Sequence, residues 1–146
     1  MKNADPILSV VMSVYRPESE QLRIAVRSIL DQSFRDFEFV ILDDGNPQNI
    51  KFELEEISKW DKRIRLINLP ENIGLTRALN IGIKSARGEY IARMDSDDFS
   101  FPNRFEMQIA YLRLHPETVL CGSDYFEWDG QTSLSGSRQS RECGSC

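Results

Sequence analysis

The chain lacks any apolar run near the ~20 residues that a membrane span requires. Its first residues, Met1-Lys2-Asn3-Ala4-Asp5-Pro6, run straight into a strand pattern without the layout of a signal peptide. These two absences lead to the expectation of a cytoplasmic protein that works, if near a membrane, at its inner face without crossing it. Positive charge is also short: 18 Lys and Arg stand against 23 Asp and Glu, for a net charge of −5. Such a balance excludes broad, charge-driven nucleic-acid binding, which needs clustered cations. Glycine-rich phosphate loops are missing as well. Neither G-x-x-x-x-G-K nor G-x-G-x-x-G occurs, and Tyr15-Arg16-Pro17-Glu18 after the first apolar run contains no glycine. Cysteine is sparse: Cys121 reads as a small buried hydrophobe, and Cys143 and Cys146 form a terminal C-x-x-C with no second ligand pair, best read as adventitious thiols.

What is present is an alternation of two periodicities. Ile7 to Val14, Phe37 to Leu42, Ile64 to Ile67, Tyr90 to Met94 and Val119 to Cys121 are short apolar runs without polar alternation, as expected of strands buried on both faces. Between them lie helical stretches. Leu22, Ala25, Val26, Ile29 and Leu30 share one face of the first, after Pro17-Glu18-Ser19. The second carries Phe52, Leu54, Ile57 and Trp60. The third spans Leu75 to Ala86 with Leu75, Ala78, Leu79, Ile83 and Ala86 inward and Gly88 as its stop. A fourth begins at Phe101-Pro102 and runs to about His115-Pro116. The expected order is β-α-β-α-β-α-β-α-β: an α/β fold with a mostly parallel sheet flanked by helices on both faces. Residues 1–128 form the expected domain, and the Ser- and Gly-rich residues 129–146 a polar, disordered tail.

Ligands of such sheets bind outside the carboxyl ends of the strands. Three strand ends here are polar without structural need: Ser13-Val14-Tyr15-Arg16, Asp43-Asp44-Gly45 and Asp95-Ser96-Asp97-Asp98. The last, three carboxylates in four residues, is a hard oxygen site suited to Mg²⁺ or Mn²⁺. A cation held there would let a diphosphate approach an acidic protein. The competing reading is an Asx-rich turn capping the helix near Pro102. Asp43-Asp44-Gly45 is divided between a turn signal and a carboxylate for a pyrimidine imide or ribose hydroxyls. Asn72-Ile73-Gly74-Leu75-Thr76-Arg77 leads into the third helix, where Arg77 sits against the helix dipole, as a phosphate-binding residue would.

The ordered set resembles the N-terminal part of the family 2 inverting glycosyltransferases with the GT-A fold, over roughly residues 6 to 124. The segments that carry the resemblance are Ser9-Val10-Val11-Met12-Ser13-Val14-Tyr15, Ser28-Ile29-Leu30-Asp31-Gln32-Ser33-Phe34, Phe39-Val40-Ile41-Leu42-Asp43-Asp44-Gly45, Asn72-Ile73-Gly74-Leu75-Thr76-Arg77-Ala78-Leu79-Asn80 and Ala86-Arg87-Gly88-Glu89-Tyr90-Ile91-Ala92-Arg93-Met94-Asp95-Ser96-Asp97-Asp98. The resemblance implies a nucleotide-diphosphate sugar donor, chiefly a UDP-sugar, and a glycan or lipid-linked acceptor in polysaccharide or glycoconjugate synthesis. It implies that Ser13 and Tyr15 line the nucleotide pocket, that Asp44 binds uracil, and that Asn72 and Arg77 help hold the nucleotide. Asp95 would face the ribose or donor sugar, and Asp97, with Asp98 beside it, would ligate Mn²⁺ or Mg²⁺. The family's general base is an acidic residue of the second half of the domain. Here Glu127, Asp129 and Glu142 fall in no family motif, so no base is assigned and donor binding is implied more strongly than turnover. The other readings are a non-catalytic nucleotide-sugar binding module and a Mg²⁺-dependent nucleotidyltransferase, the latter disfavoured by the missing phosphate loop.

Overall fold

Strands form here where β-branched and large apolar residues run without polar interruption, since both sheet faces must be covered. A computed structural model describes residues 5–123. It divides between Pro102 and Asn103 into two compact units. In the first unit the order is β1 (Leu8–Val14), α1 (Ser19–Leu30), β2 (Phe37–Asp43), α2 (Gln48–Ser58), β3 (Ile64–Asn68), α3 (Leu75–Ser85) and β4 (Tyr90–Arg93). The second unit contains α4 (Arg104–Leu114). The four strands are parallel, in the order β3-β2-β1-β4. β1 and β2 are central and almost wholly buried, while the edge strand β3 is half-buried.

The sheet reverses direction at β1. The connections through α1 and α2 step toward β3, whereas α3 returns the chain across the sheet to β4. Right-handed crossovers therefore set α1 and α2 on one face and α3 on the other. The α3 face is seen in the packing of Leu79 and Ile81 of α3, with Ile67 of β3, against Val11, Val40 and Leu42. The inner stripe of α3 differs from expectation. Ala78 and Gly82 are its buried residues, and Leu75 and Ile83 are 49% and 46% exposed. Small residues win because the helix lies so close to the sheet. A Cβ on Gly82 would come 2.5 Å from Val11 Cγ1 and 2.7 Å from Leu42 Cδ1.

Three other expectations are corrected. Gly88 does not end α3, which is capped at Ala86. It permits close approach to β1, where its N–H donates to Ser9 Oγ at 2.8 Å and a Cβ would sit 2.5 Å from Ser9 N. Helix α4 begins at Arg104 rather than at Phe101-Pro102, because the Pro102 carbonyl is already taken by Ser33 N–H at 2.7 Å. The fifth strand at Val119 to Cys121 does not form. Val119 and Leu120 are 98% and 85% exposed, and no strand among the described residues completes a ladder with them. Cys121 is half-buried, and burial pushes its thiol pKa up. Residues 129–146, with Cys143 and Cys146, lie outside the described residues.

At the amino end of the sheet, Glu38 is buried and paired from several sides. It accepts hydrogen bonds from Ser9 Oγ (2.7 Å), Arg87 N (2.7 Å), Arg87 Nε (3.0 Å) and Arg87 Nη2 (2.8 Å), with Arg65 Nε at 3.4 Å. Burial alone would raise its pKa, but the Ser9 and Arg87 hydrogen bonds and the Arg65 charge outweigh it and hold the carboxyl below its ordinary value. This network locks the strands at the end opposite the polar edge.

Candidate functional site

The carboxyl edge of the sheet is assembled around the end of β1. Val14 pairs with Asp43, and the Val14 carbonyl accepts Asp44 N–H at 3.0 Å. Asn46, which carried no expectation from the sequence, ties the two exits together. Its Nδ2 donates to Val14 O (2.8 Å) and Asp43 Oδ1 (2.7 Å), its N–H donates to the same Oδ1 (2.9 Å), and its Oδ1 accepts Arg16 N–H (2.6 Å). Arg16 is held there at φ +45°, a strained value for a side-chain-bearing residue. The turn exposes Tyr15, whose ring lies 5.3 Å from the Arg16 guanidinium carbon. Ser13, half-buried, faces the same side of β1 as Val11.

The two aspartates of β2's exit do different work. Asp43 points to the α1 and α2 face, where Oδ1 braces Asn46 and Oδ2 is buried with no hydrogen-bond partner. Asp44 points to the α3 face and organises the loop into α3. Its Oδ1 accepts Ile73 N–H (2.9 Å), and its Oδ2 accepts Asn72 Nδ2 (2.9 Å) and Gly74 N–H (3.2 Å). A carboxylate offers about four acceptor sites, so these three donors leave one on Oδ1, on a residue that is only 1% exposed. Gly45 makes this turn feasible, with φ +71° and a position where a Cβ would fall 2.2 Å from Asn72 N. Asp43 thus braces the turn at Asn46, and Asp44 braces the loop into α3.

Asp44 brings the mouth of α3 to this edge. Gly74, at φ +86°, is the N-cap, and no side chain caps the first turn. The free amides of that turn favour anions, and Arg77 within the turn is exposed.

β4 supplies the other wall. The register pairs Val11 with Arg93, where β4 ends, and Met94 N–H donates to Val11 O at 3.1 Å, so Asp95 follows directly beyond the carboxyl end of the strand. Asp95 is braced by Arg93, whose Nε and Nη2 lie 3.0 and 2.9 Å from its two oxygens. That partner was legible in principle, because residues i and i+2 of a strand share a face. Asp98 N–H turns back to Asp95 O at 3.4 Å, and Asp97 and Asp98 are exposed. The N-cap of α4 is Asn103, whose own side chain makes no cap bond. Among the described residues no three Asp, Glu, His or Cys converge as a preformed metal cluster. The residues still fit a hard divalent cation of the nucleotide type, which needs only one or two protein carboxylates when phosphate and water complete its shell. Ser13, Tyr15, Asp44, Asn72, Arg77, Asp95, Asp97 and Asp98 therefore lie at or just beyond one sheet edge, and Asp44 and Asn72 are in direct contact there.

A parallel sheet with helices on both faces, and polar strand ends where its strand order reverses, defines an α/β protein of the nucleotide-binding type. The chain belongs to glycosyl transferase family 2, whose pattern matches residues 9–140, and its fold is that of the GT-A glycosyltransferases. It is 36% identical over 118 residues to an uncharacterised glycosyltransferase of Haemophilus influenzae, covering 81% of this chain and 36% of that protein. It is 35% identical over 127 residues to the amylovoran biosynthesis glycosyltransferase AmsE of Erwinia amylovora, covering 84% of this chain and 47% of that one. The chain thus spans less than half the length of these relatives. Among solved structures it is similar to S. aureus TarS 1-349 in complex with UDP-GlcNAc, with a TM-score of 0.66, 25% identity, and coverage of 75% of this chain and 32% of that one. No helix among the described residues is long and apolar enough to cross a membrane.

Proposed function

We propose that this chain is the donor-binding part of an inverting glycosyltransferase that transfers a sugar from a UDP-sugar to a hydroxyl of a glycan or lipid-linked acceptor. The observation that carries this reading is the convergence of three polar strand ends at the reversal of the sheet, beside the uncapped first turn of α3. The UDP-GlcNAc bound by TarS supports the donor class, and the amylovoran pathway of AmsE supports a polysaccharide product.

In this reading Asp44 accepts the uracil imide N–H on its remaining acceptor site, and Ser13 and Tyr15 line the base and ribose. Asn72 shapes the loop that leads to the diphosphate. Arg77 and the α3 amides meet phosphate oxygens, and Asp95 faces the ribose or donor sugar. Asp97 and Asp98 would hold Mn²⁺ or Mg²⁺, which supplies positive charge against the departing diphosphate. The residues of this chain bind and orient the donor so that its anomeric carbon faces the acceptor. The proton of the acceptor hydroxyl goes to a base that lies outside the set assigned here.

Calorimetry with UDP, with and without Mn²⁺, tests the proposal. Binding should depend on the cation, and Asp97→Ala should remove most of that dependence. Equal binding by Asp97→Ala would dismiss the metal assignment, and no UDP binding under either condition would dismiss the donor reading.

A further inference from the structure

The segment Ser28-Ile29-Leu30-Asp31-Gln32-Ser33-Phe34, which helped to mark the family, has no part in the donor site so far described. Its polar side chains are nevertheless buried: Gln32 is 0% exposed and Ser28 5%. Burying an amide is costly unless its hydrogen bonds are satisfied, and the partners of Gln32 lie in one place. Gln32 Nε2 lies 2.7 Å from Phe101 O, 3.2 Å from Ser100 Oγ and 3.3 Å from Ser100 O, as well as 3.1 Å from Ser28 O. Ser28 Oγ accepts Ser100 N–H at 3.1 Å while donating to Ala25 O at 2.7 Å. Ser33 N–H donates to Pro102 O at 2.7 Å. The end of α1 thus clasps residues 100–102, and Ser100 is itself buried.

This clasp lies immediately after the acidic turn. On the other side of the turn, Met94 N–H is fixed to Val11 O at 3.1 Å. Residues 95–99 are therefore strung between a sheet bond and the Gln32 clasp, with Asp97, Asp98 and Phe99 exposed. A short chain fixed at both ends has few ways to present its carboxylates, and oriented ligands bind a cation with less loss of entropy. The geometry points to Gln32, with Ser28, as a positioning residue that sets the acidic turn in the conformation that receives a divalent cation. The inference rests on the nucleotide-sugar reading and assigns a role that is separate from ligation.

The test compares wild-type protein with Gln32→Ala, Ser28→Ala and Ser9→Ala. The last removes a buried hydrogen bond to Glu38 at the far end of the sheet. Three quantities are measured: thermal midpoint, the Mn²⁺ concentration that half-saturates UDP binding, and UDP affinity with Mn²⁺ in excess. Gln32→Ala should raise the half-saturating Mn²⁺ about tenfold, as loss of a residue supporting a metal ligand does, with a smaller loss of UDP affinity at excess Mn²⁺. Ser28→Ala should move it in the same direction by less and decides the matter if Gln32→Ala does not fold. Ser9→Ala should lower the thermal midpoint alone. If the Gln32 and Ser28 variants lose thermal stability but keep the wild-type Mn²⁺ requirement, the clasp is structural and the inference fails while the donor reading stands. Wild-type protein that binds no UDP at any Mn²⁺ concentration overturns both.

Discussion

The Asp44 carboxylate accepts the Asn72 side-chain amide at 2.9 Å, although 28 positions separate the two residues. The same carboxylate takes the N–H groups of Ile73 and Gly74. One aspartate at a strand exit therefore shapes the loop that opens the next helix, and the nucleotide roles proposed for Asp44 and Asn72 become a single unit.

Residues that act as a unit lose their contributions non-additively. Asp44→Ala and Asn72→Ala should each weaken UDP binding, Asp44→Ala by tenfold or more. The double variant should fall short of the summed losses by about 0.5–3 kcal/mol, the usual coupling for residues in one hydrogen-bond network. Calorimetry on the four proteins measures the coupling directly. Strict additivity would mean that the two residues meet the nucleotide separately.

Gly45 should be intolerant of any side chain. Its φ of +71° disfavours an L-residue, and a Cβ would meet the backbone at Asn72 N and Glu71 C, both 2.2 Å away. Backbone cannot swing aside as a flexible side chain can, so Gly45→Ala should cost more than the roughly 1–3 kcal/mol of a strained residue alone. Urea unfolding gives the stability and calorimetry the expected parallel loss of UDP binding. A variant of wild-type stability would show that the loop at Glu71 and Asn72 relaxes freely.

The strands, α1 and the polar edge were legible because periodicity and strand-end chemistry are local signals. The rest depended on close approach. The inward face of α3 could not be read from its largest residues, since Gly82 lets the helix settle on Val11 and Leu42 and leaves Leu75 and Ile83 exposed. Gly88 looked like a helix stop but answers to Ser9, 79 positions away. Val119 to Cys121 has strand composition but pairs with no strand among the described residues, and composition alone does not supply a pairing partner. Asn46 and Gln32 were overlooked for a related reason. Their importance lies in what their amides reach, namely Val14 and Arg16 for one and residues 100–101 for the other.

Asn46 offers a test of geometry against size. It donates to Val14 O and Asp43 Oδ1 and accepts from Arg16 N. Asn46→Ala should destabilise the protein by about 1–3 kcal/mol for the buried partners left unsatisfied. Asn46→Asp keeps the shape but replaces the Nδ2 donor with a second charged oxygen beside the buried Asp43 carboxylate. It should therefore cost at least as much as alanine at neutral pH, as measured by urea midpoints. A neutral Asn46→Asp substitution would mean that the amide orientation is not what binds the two strand exits.

Glu38 gives the fold a definite acid limb. Its carboxyl is buried, but the hydrogen bonds from Ser9 and Arg87 and the Arg65 charge hold its folded pKa below the ordinary 4.5. A depressed folded pKa means that the unfolded chain takes up the proton first, so stability falls as pH falls. The contribution is therefore fully present above the unfolded value and drains away through the window between it and the lower folded pKa. Glu38→Gln replaces the charge, and one acceptor oxygen becomes a donor facing Arg87 and Arg65. At pH 7 it should lose about 1–3 kcal/mol. Urea midpoints followed from pH 7 down to strongly acid conditions should show the wild-type and Glu38→Gln curves converging as Glu38 takes its proton. A gap that stays constant across that range would mean that the ionised form of Glu38 contributes nothing beyond its shape, and that the amino end of the sheet is held by packing alone.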